Sequence, residues 1–191
     1  MSEFQNRLRN DLEPILASAD PRQKISAYHD MPYALFRYDP EEEFELRGEL
    51  TLLKTRLEQK SKRVIRISLA DCLFTALGSV SSLGDWFEAE RAEGVDNVIQ
   101  TISNVLESHT PLVDLVARQM PADPDPKSDV VLINRTGALF PVYRTFSLLE
   151  QLKGRVVAPT VLFYPGHLDG ASGLRFMDVL DAEHNYRPKI F

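Results

Sequence analysis

The residues with the most chemistry to offer lie in three short segments, each following an apolar run: Tyr38-Asp39-Pro40, Asn134-Arg135-Thr136-Gly137, and Tyr164-Pro165-Gly166-His167-Leu168-Asp169-Gly170. The middle segment combines an amide, a guanidinium, a hydroxyl and a flexible glycine. Together with backbone N–H groups these could hold an anion such as phosphate at the start of a following helix. The same residues could equally do no more than close a turn, with Asn134 and Thr136 bonding the backbone and Gly137 permitting its geometry. His167 and Asp169, with Asp181, Glu183 and His184 further along, are the right types of ligand for a divalent cation. They lack HExxH or comparable spacing, so polar turn residues are the default reading. Glu58-Gln59-Lys60 resembles the ExK part of a nuclease signature, but at a helix end those charges more simply face water. Cys72 follows Asp71 in an amphipathic stretch with no histidine close by, and reads as a small buried side chain rather than a nucleophile. No GxxxxGK(S/T) occurs, and no GxGxxG follows a strand. An ordinary P-loop ATPase and a Rossmann oxidoreductase are thereby excluded.

The three segments matter only if the surrounding elements bring them together. Pro32 and Asp39-Pro40 bracket the aromatic-rich run Tyr33 to Tyr38, which reads as the first strand. Asp39 then caps a helix with Pro40 at its first position and Glu42 at its third, and Glu41 to Glu43 lie where the helix dipole favours negative charge. This helix is predicted to run to about Lys60, burying Phe44, Leu46, Leu50, Leu53 and Leu57 and exposing Arg47, Lys54, Arg56 and Glu58. Upstream, Phe4, Leu8, Leu12, Ile15 and Leu16 recur at helical spacing from Glu3 to Ala17, and Asp20-Pro21 should follow the end of that helix. Arg63 to Leu69 reads as a second strand. Helical pieces follow over Ala70 to Leu77, Asp85 to Ala92 and Val95 to Ser108, with a turn from Gly78 to Gly84. A further helix begins near Thr110-Pro111, and the three prolines between Met120 and Lys127 make a loop.

Asp129 to Asn134 is apolar throughout its interior, as expected of a strand covered on both faces. Pro141 to Lys153 reads as a helix ending at Gly154, and Val156 to Tyr164 as another buried strand. Two strand, helix, strand units with right-handed crossovers imply an α/β fold, a three-layer doubly wound, mainly parallel sheet carrying a helix-rich insertion. It would resemble a nucleotide-binding fold without a phosphate loop. Leu174 to Leu180 reads as a short helix, and Tyr186 to Phe191 as an edge extension or docked tail. Open parallel sheets bind ligands beyond the C-terminal ends of their strands, the position to which this reading assigns all three segments.

The 191 residues suit one domain spanning 1–191, large enough to bury a core without disulfides or a structural metal. A single cysteine excludes an internal disulfide framework. No apolar run approaches the roughly 18 residues of a membrane span and no secretory leader is visible, so a soluble, cytoplasmic protein is expected. The formal net charge of −6 argues against a chain that coats nucleic acid. Lys60, Lys62, Arg63 and Arg66 form its only dense basic cluster, which places direct DNA binding behind other readings. Trp86-Phe87 could anchor a partner, although most such aliphatic and aromatic stripes are core.

The ordered set of segments resembles the BrxB family, small proteins of the BREX phage-defence systems. The pieces that carry the resemblance are Pro32-Tyr33-Ala34-Leu35-Phe36-Arg37-Tyr38-Asp39-Pro40 leading into Glu41 to Leu57, then Val64 to Leu77, Val130 to Pro141, Pro159 to Gly170, and Asn185-Tyr186-Arg187. The resemblance implies a component of a multi-gene bacterial system whose other members supply a methyltransferase, a large ATPase and a PglZ-type alkaline-phosphatase-like protein. It implies no enzyme activity and no cofactor for this component. The expectation is a non-catalytic adaptor that binds the PglZ-type protein, with other BREX proteins as further partners and no membrane contact. The competing expectation is a domain that senses a nucleotide or phosphate through the strand-end segments.

Overall fold

The computed structural model describes residues 2–26, 32–170, 173–182 and 188–191. Among these, six strands form one sheet: β1 (Tyr33–Tyr38), β2 (Arg63–Ser68), β3 (Asp129–Asn134), β4 (Thr160–Asp169), β5 (Gly173–Phe176) and β6 (Lys189–Ile190). The order across the sheet is β2-β3-β4-β1-β6, parallel throughout, while β5 pairs antiparallel with the far end of β4. The doubly wound α/β expectation therefore holds.

Each interior strand is apolar on both sides because each side has its own helical layer. Ala34, Phe36 and Tyr38 of β1, Val130 and Leu132 of β3, and Val161 and Phe163 of β4 pack into one core. Their alternating neighbours Tyr33, Leu35, Val131, Ile133, Leu162 and Tyr164 pack into the other. The first core is closed by α1 (Glu3–Arg7), α2 (Glu13–Leu16), α3 (Pro21–Ile25) and α4 (Glu43–Glu58). The second is closed by α5 (Leu69–Val80), α6 (Leu83–Glu93), α7 (Val95–Asn104), α8 (Leu112–Gln119) and α9 (Thr145–Leu152).

The opening helix forms as the periodicity predicts, with a local change. Ser2 and Gln5 make a capping box, and α1 and α2 are joined by one wide π turn, Leu8–Leu12. That turn lies just before Pro14, which has no N–H for the carbonyl four residues back and whose ring would crowd it. Asp20 then caps the short helix α3, which the sequence pattern left unassigned. Along α4, Leu46, Leu50, Leu53 and Leu57 are buried as expected, but Phe44 is 80% exposed. At about 100° per residue, Phe44 lies two positions and half a turn away from the Leu46 stripe.

Four further boundaries differ from the sequence reading. Helix α5 runs through Gly78 to Val80, so the break before α6 is confined to Ser81 and Ser82. The helix assigned from Pro141 begins only at Thr145: Thr136–Leu139 is a 3-10 turn, and Phe140 is extended, as residues before proline prefer to be. Strand β4 starts at Thr160 rather than Val156 and continues to Asp169, so most of the predicted Tyr164 to Gly170 loop is strand. Leu174 to Leu180 is not a helix; Leu174 and Phe176 are buried on either side of Arg175 in β5, and a turn follows. The C-terminal expectation is met at Lys189–Ile190, which lies along β1 at the sheet edge, while Tyr186 and Arg187 fall outside the described residues.

Candidate functional site

The chain leaving β1 turns into the α4 layer, whereas the chains leaving β3 and β4 turn towards the opposite layer. Beyond the ends of these strands lies the switch point at which doubly wound sheets place a ligand crevice. A cleft of about 320 Å³ occupies that position, walled by Tyr38, Pro40 and Pro165 at the strand ends, Gly137 and Ala138 after β3, and Met177 after β5. Glu43, Phe44, Arg47 and Arg135 complete it.

One wall is built by α4. The Tyr38 hydroxyl donates to Glu43 Oε2, and Glu43 Oε1 accepts from Arg47 Nε at 2.8 Å. Burial, reinforced by the Glu43 carboxylate, pushes the Tyr38 phenol well above its ordinary value, which keeps it a neutral donor. The Arg47 guanidinium lies over the exposed Phe44 ring, 4.8 Å from its centroid. Tyr38 thus anchors a chain of contacts that fixes the cation and the aromatic ring at the cleft rim.

The opposite wall comes from the turn after β3. Arg135 adopts a left-handed conformation, φ +57°, uncommon for a residue with a Cβ. Its Nη1 reaches Asp71 Oδ1 at 3.3 Å, and its Nε is buried without a hydrogen-bond acceptor among the described residues. Thr136 is buried and donates to the Phe163 carbonyl at 2.7 Å. Asn134 is buried too: oriented to satisfy its neighbours, its Nδ2 donates to the Ile67 carbonyl at 3.0 Å and its Oδ1 accepts from Arg66 Nη2 at 2.9 Å. Neither Asn134 nor Thr136 lines the cleft. Of the segment read as a phosphate loop, Arg135 and Gly137 are the residues that do.

The third wall is the β4–β5 hairpin. Gly166, at φ +147°, is required here, because a Cβ would sit 2.0 Å from the Arg175 carbonyl oxygen. Gly137 leaves room for Met177, whose sulfur would be 3.2 Å from an added Cβ. Among the described residues His167 joins no group that could hold a metal. Its Nδ1 lies 2.6 Å from Asp178 Oδ1 and its Nε2 3.9 Å from Asp39 Oδ2, tying the turn after β5 to the end of β1. Asp169 pairs instead with Arg175 at 2.7 Å. Glu183 and His184 lie outside the described residues, and among the described ones no group of three or more His, Cys, Asp and Glu could hold a metal.

Charge is unevenly divided around the crevice. A smaller hollow of about 150 Å³ beside it is lined by Arg7, Arg37, Asp39, Glu42 and His167. Burial, together with the nearby charges of Asp39 and Glu45, lifts the Glu42 carboxyl above its ordinary value. The acidic start of the segment after β1 thus borders this hollow, whereas Arg47 and Arg135 stand over the main cleft.

Other sequence candidates have local roles. Cys72 is buried and burial pushes its thiol up. Trp86 is buried, with Nε1 donating to the Leu77 carbonyl at 3.2 Å, while Phe87 is exposed. The basic cluster is engaged by its neighbours: exposed Arg63 pairs with buried Asp129, buried Lys62 donates to the Ser18 and Lys127 carbonyls, Arg66 donates to Thr51 Oγ1, and exposed Lys60 lies 4.0 Å from Glu13. Glu58 pairs with Lys54.

Sequence reasoning missed Glu43, Phe44 and Arg47 as site residues, although the i, i+4 spacing of Glu43 and Arg47 was a visible signal. Met177 and Asp178 carried no comparable signal, because their placement depends on the hairpin.

This architecture defines a doubly wound α/β protein with a ligand-sized crevice at its switch point and no phosphate loop. The family described as BREX protein BrxB matches residues 65–190. A BREX protein BrxB from Bacillus cereus (strain H3081.97) is 26% identical over 189 residues, covering 98% of this chain and 96% of that protein. The chain belongs to the BrxB family. No solved structure matches it. Among the described residues, no helix is long and apolar enough to cross a membrane.

Proposed function

We propose that this protein is a non-catalytic adaptor of a BREX phage-defence system, and that its partner is the PglZ-type phosphatase-like component. Family membership supports a place among BREX proteins. The observation that carries the adaptor reading is the composition of the crevice. Where a phosphate-binding fold would present a glycine-rich loop after β1, this chain has Asp39-Pro40-Glu41-Glu42-Glu43, followed by an exposed aromatic ring. That segment supplies no glycine-rich cradle of backbone N–H groups for a polyphosphate, whereas an exposed Phe beside a cleft lined by Pro40, Ala138, Pro165 and Met177 gains from burial against a protein surface.

Co-purification tests this reading. The full chain and the PglZ-type protein, each shown to be folded, are expected to elute as one complex at low salt; separate elution overturns the partner assignment. The competing reading, nucleotide or phosphate sensing at the strand ends, requires ligand-dependent stabilisation. A ligand present at 100 times its Kd would add about 2.7 kcal/mol to the folded state. No thermal shift with nucleotides or inorganic phosphate is the result expected of the adaptor.

A further inference from the structure

The crevice has a chemical polarity that narrows what can occupy it. Its floor and sides are apolar: Pro40, Ala138, Pro165 and Met177, with the Phe44 ring 80% exposed at the rim. Its two cations come from opposite walls and each has unused hydrogen-bonding capacity. Arg47 gives Nε to Glu43, and its Nη groups make no hydrogen bond among the described residues. Arg135 gives Nη1 to Asp71 while its buried Nε has no acceptor among the described residues. A buried donor without a partner costs free energy that an arriving acceptor would recover. Among the described residues the one carboxylate lining the cleft, Glu43, is already held by Tyr38 and Arg47. Asp39 and Glu42 border the separate hollow beside Arg7.

We propose that this crevice receives a segment of a protein partner that presents a large apolar side chain beside an Asp or Glu carboxylate. The apolar side chain lies between Phe44, Pro165 and Met177, and the carboxylate meets Arg135 and Arg47. Charge complementarity selects a carboxylate over a basic segment. The aromatic and proline lining selects a side chain over a hydrated ion. A nucleic-acid strand is disfavoured because the lining is mostly apolar and offers two cations, too few to track a phosphate backbone. The left-handed backbone at Arg135 fits this role, since such strain persists where a side chain must be aimed. The inference rests on the adaptor reading in one respect: it takes the crevice for a protein-contact site.

The test places the photo-crosslinker benzoylphenylalanine at position 44 of the full chain, expressed together with the other BREX proteins of its system, and identifies the crosslinked peptide by mass spectrometry. Position 87, exposed on α6, is the control. The expected result is an adduct at 44 and none at 87. The captured peptide should carry a large apolar residue within two positions of Asp or Glu, and Arg135→Gln, verified as folded by its melting curve, should lower the yield at least fivefold. The proposal is overturned by no adduct at 44, by an adduct to nucleic acid or to a second copy of this chain, by a peptide without a carboxylate, or by an Arg135→Gln yield equal to the parent's. An adduct of the expected chemistry from a protein other than the PglZ-type component upholds this inference and overturns that partner assignment. A stable complex with the PglZ-type component and no adduct at 44 does the reverse.

Discussion

Substitution of Gly166 by alanine is the most direct structural test of how the site is held together. The added Cβ would stand 2.0 Å from the Arg175 carbonyl oxygen. Real contacts of this kind stay beyond 3.0 Å, so the two strands must part by about 1 Å where β4 first pairs with β5. Two responses bound the cost. If the hairpin stays and absorbs the strain at φ +147°, the penalty is about 1–3 kcal/mol. If β5 peels away, Leu174 and Phe176 lose their burial, at about 1.5–3 kcal/mol each. A loss of about 3 kcal/mol lies where these ranges meet, and for a chain of this length it lowers Tm by about 6–12 °C. The turn carrying Met177 and Asp178 would move as well, opening the cleft and separating His167 from Asp178. Urea denaturation of Gly166→Ala beside Gly137→Ala provides the comparison. The second substitution meets the flexible Met177 side chain at 3.2 Å and Pro165 Cγ at an ordinary 3.6 Å, and should cost about 1 kcal/mol, the low end for an added methyl. If Gly166→Ala costs no more than Gly137→Ala, the close approach that positions this wall is wrong.

Other consequences can be measured on the isolated chain. Leu50→Ala should destabilise by about 2–5 kcal/mol, because Leu50 is fully buried in the α4 core, whereas Phe44→Ala should stay within about 0.5 kcal/mol despite removing a larger side chain; equal losses would put Phe44 back in the core. The hydrogen bond and charge of Arg63 hold the Asp129 carboxyl below its ordinary value, so its contribution to stability is present above the unfolded value of about 3.9 and is lost as pH falls through the folded one. Asp129→Asn should therefore lower stability near neutral pH and flatten the acid limb of the stability curve; an unchanged acid limb would contradict this. Cys72 should resist thiol reagents until denaturant unfolds the chain, since it is buried and its thiol is pushed up. Rapid labelling of the native protein would contradict its placement.

The strands that the sequence delimits best are those with chemical punctuation on both sides. β1 lies between Pro32 and Asp39-Pro40, and β3 is an unbroken apolar run, so both have the bounds that their residues predict. β4 was harder because Pro165 and Gly166 look like an end. Pro165 instead sits where β4 passes from its parallel partner β1 to its antiparallel partner β5, a handover at which the missing N–H does least harm. The alternation of Leu174, Arg175 and Phe176 did encode a strand, but three residues give helix and strand periodicities little to distinguish them. The site was legible as a place and only partly as a list. Tyr38, Arg135, Gly137 and Pro165 line the cleft, whereas Asn134 and Thr136 are consumed by the backbone they brace. Their polar types could not reveal this, since the same side chains serve a ligand or a turn.

The adaptor account is tested most directly by mixing the purified full-length chain with the folded PglZ-type component at low salt and measuring whether they migrate as one species. A stoichiometric complex that survives gel filtration, and that Phe44→Ala weakens while Phe87→Ala does not, is the result expected. Two separate peaks at micromolar concentration would contradict the account.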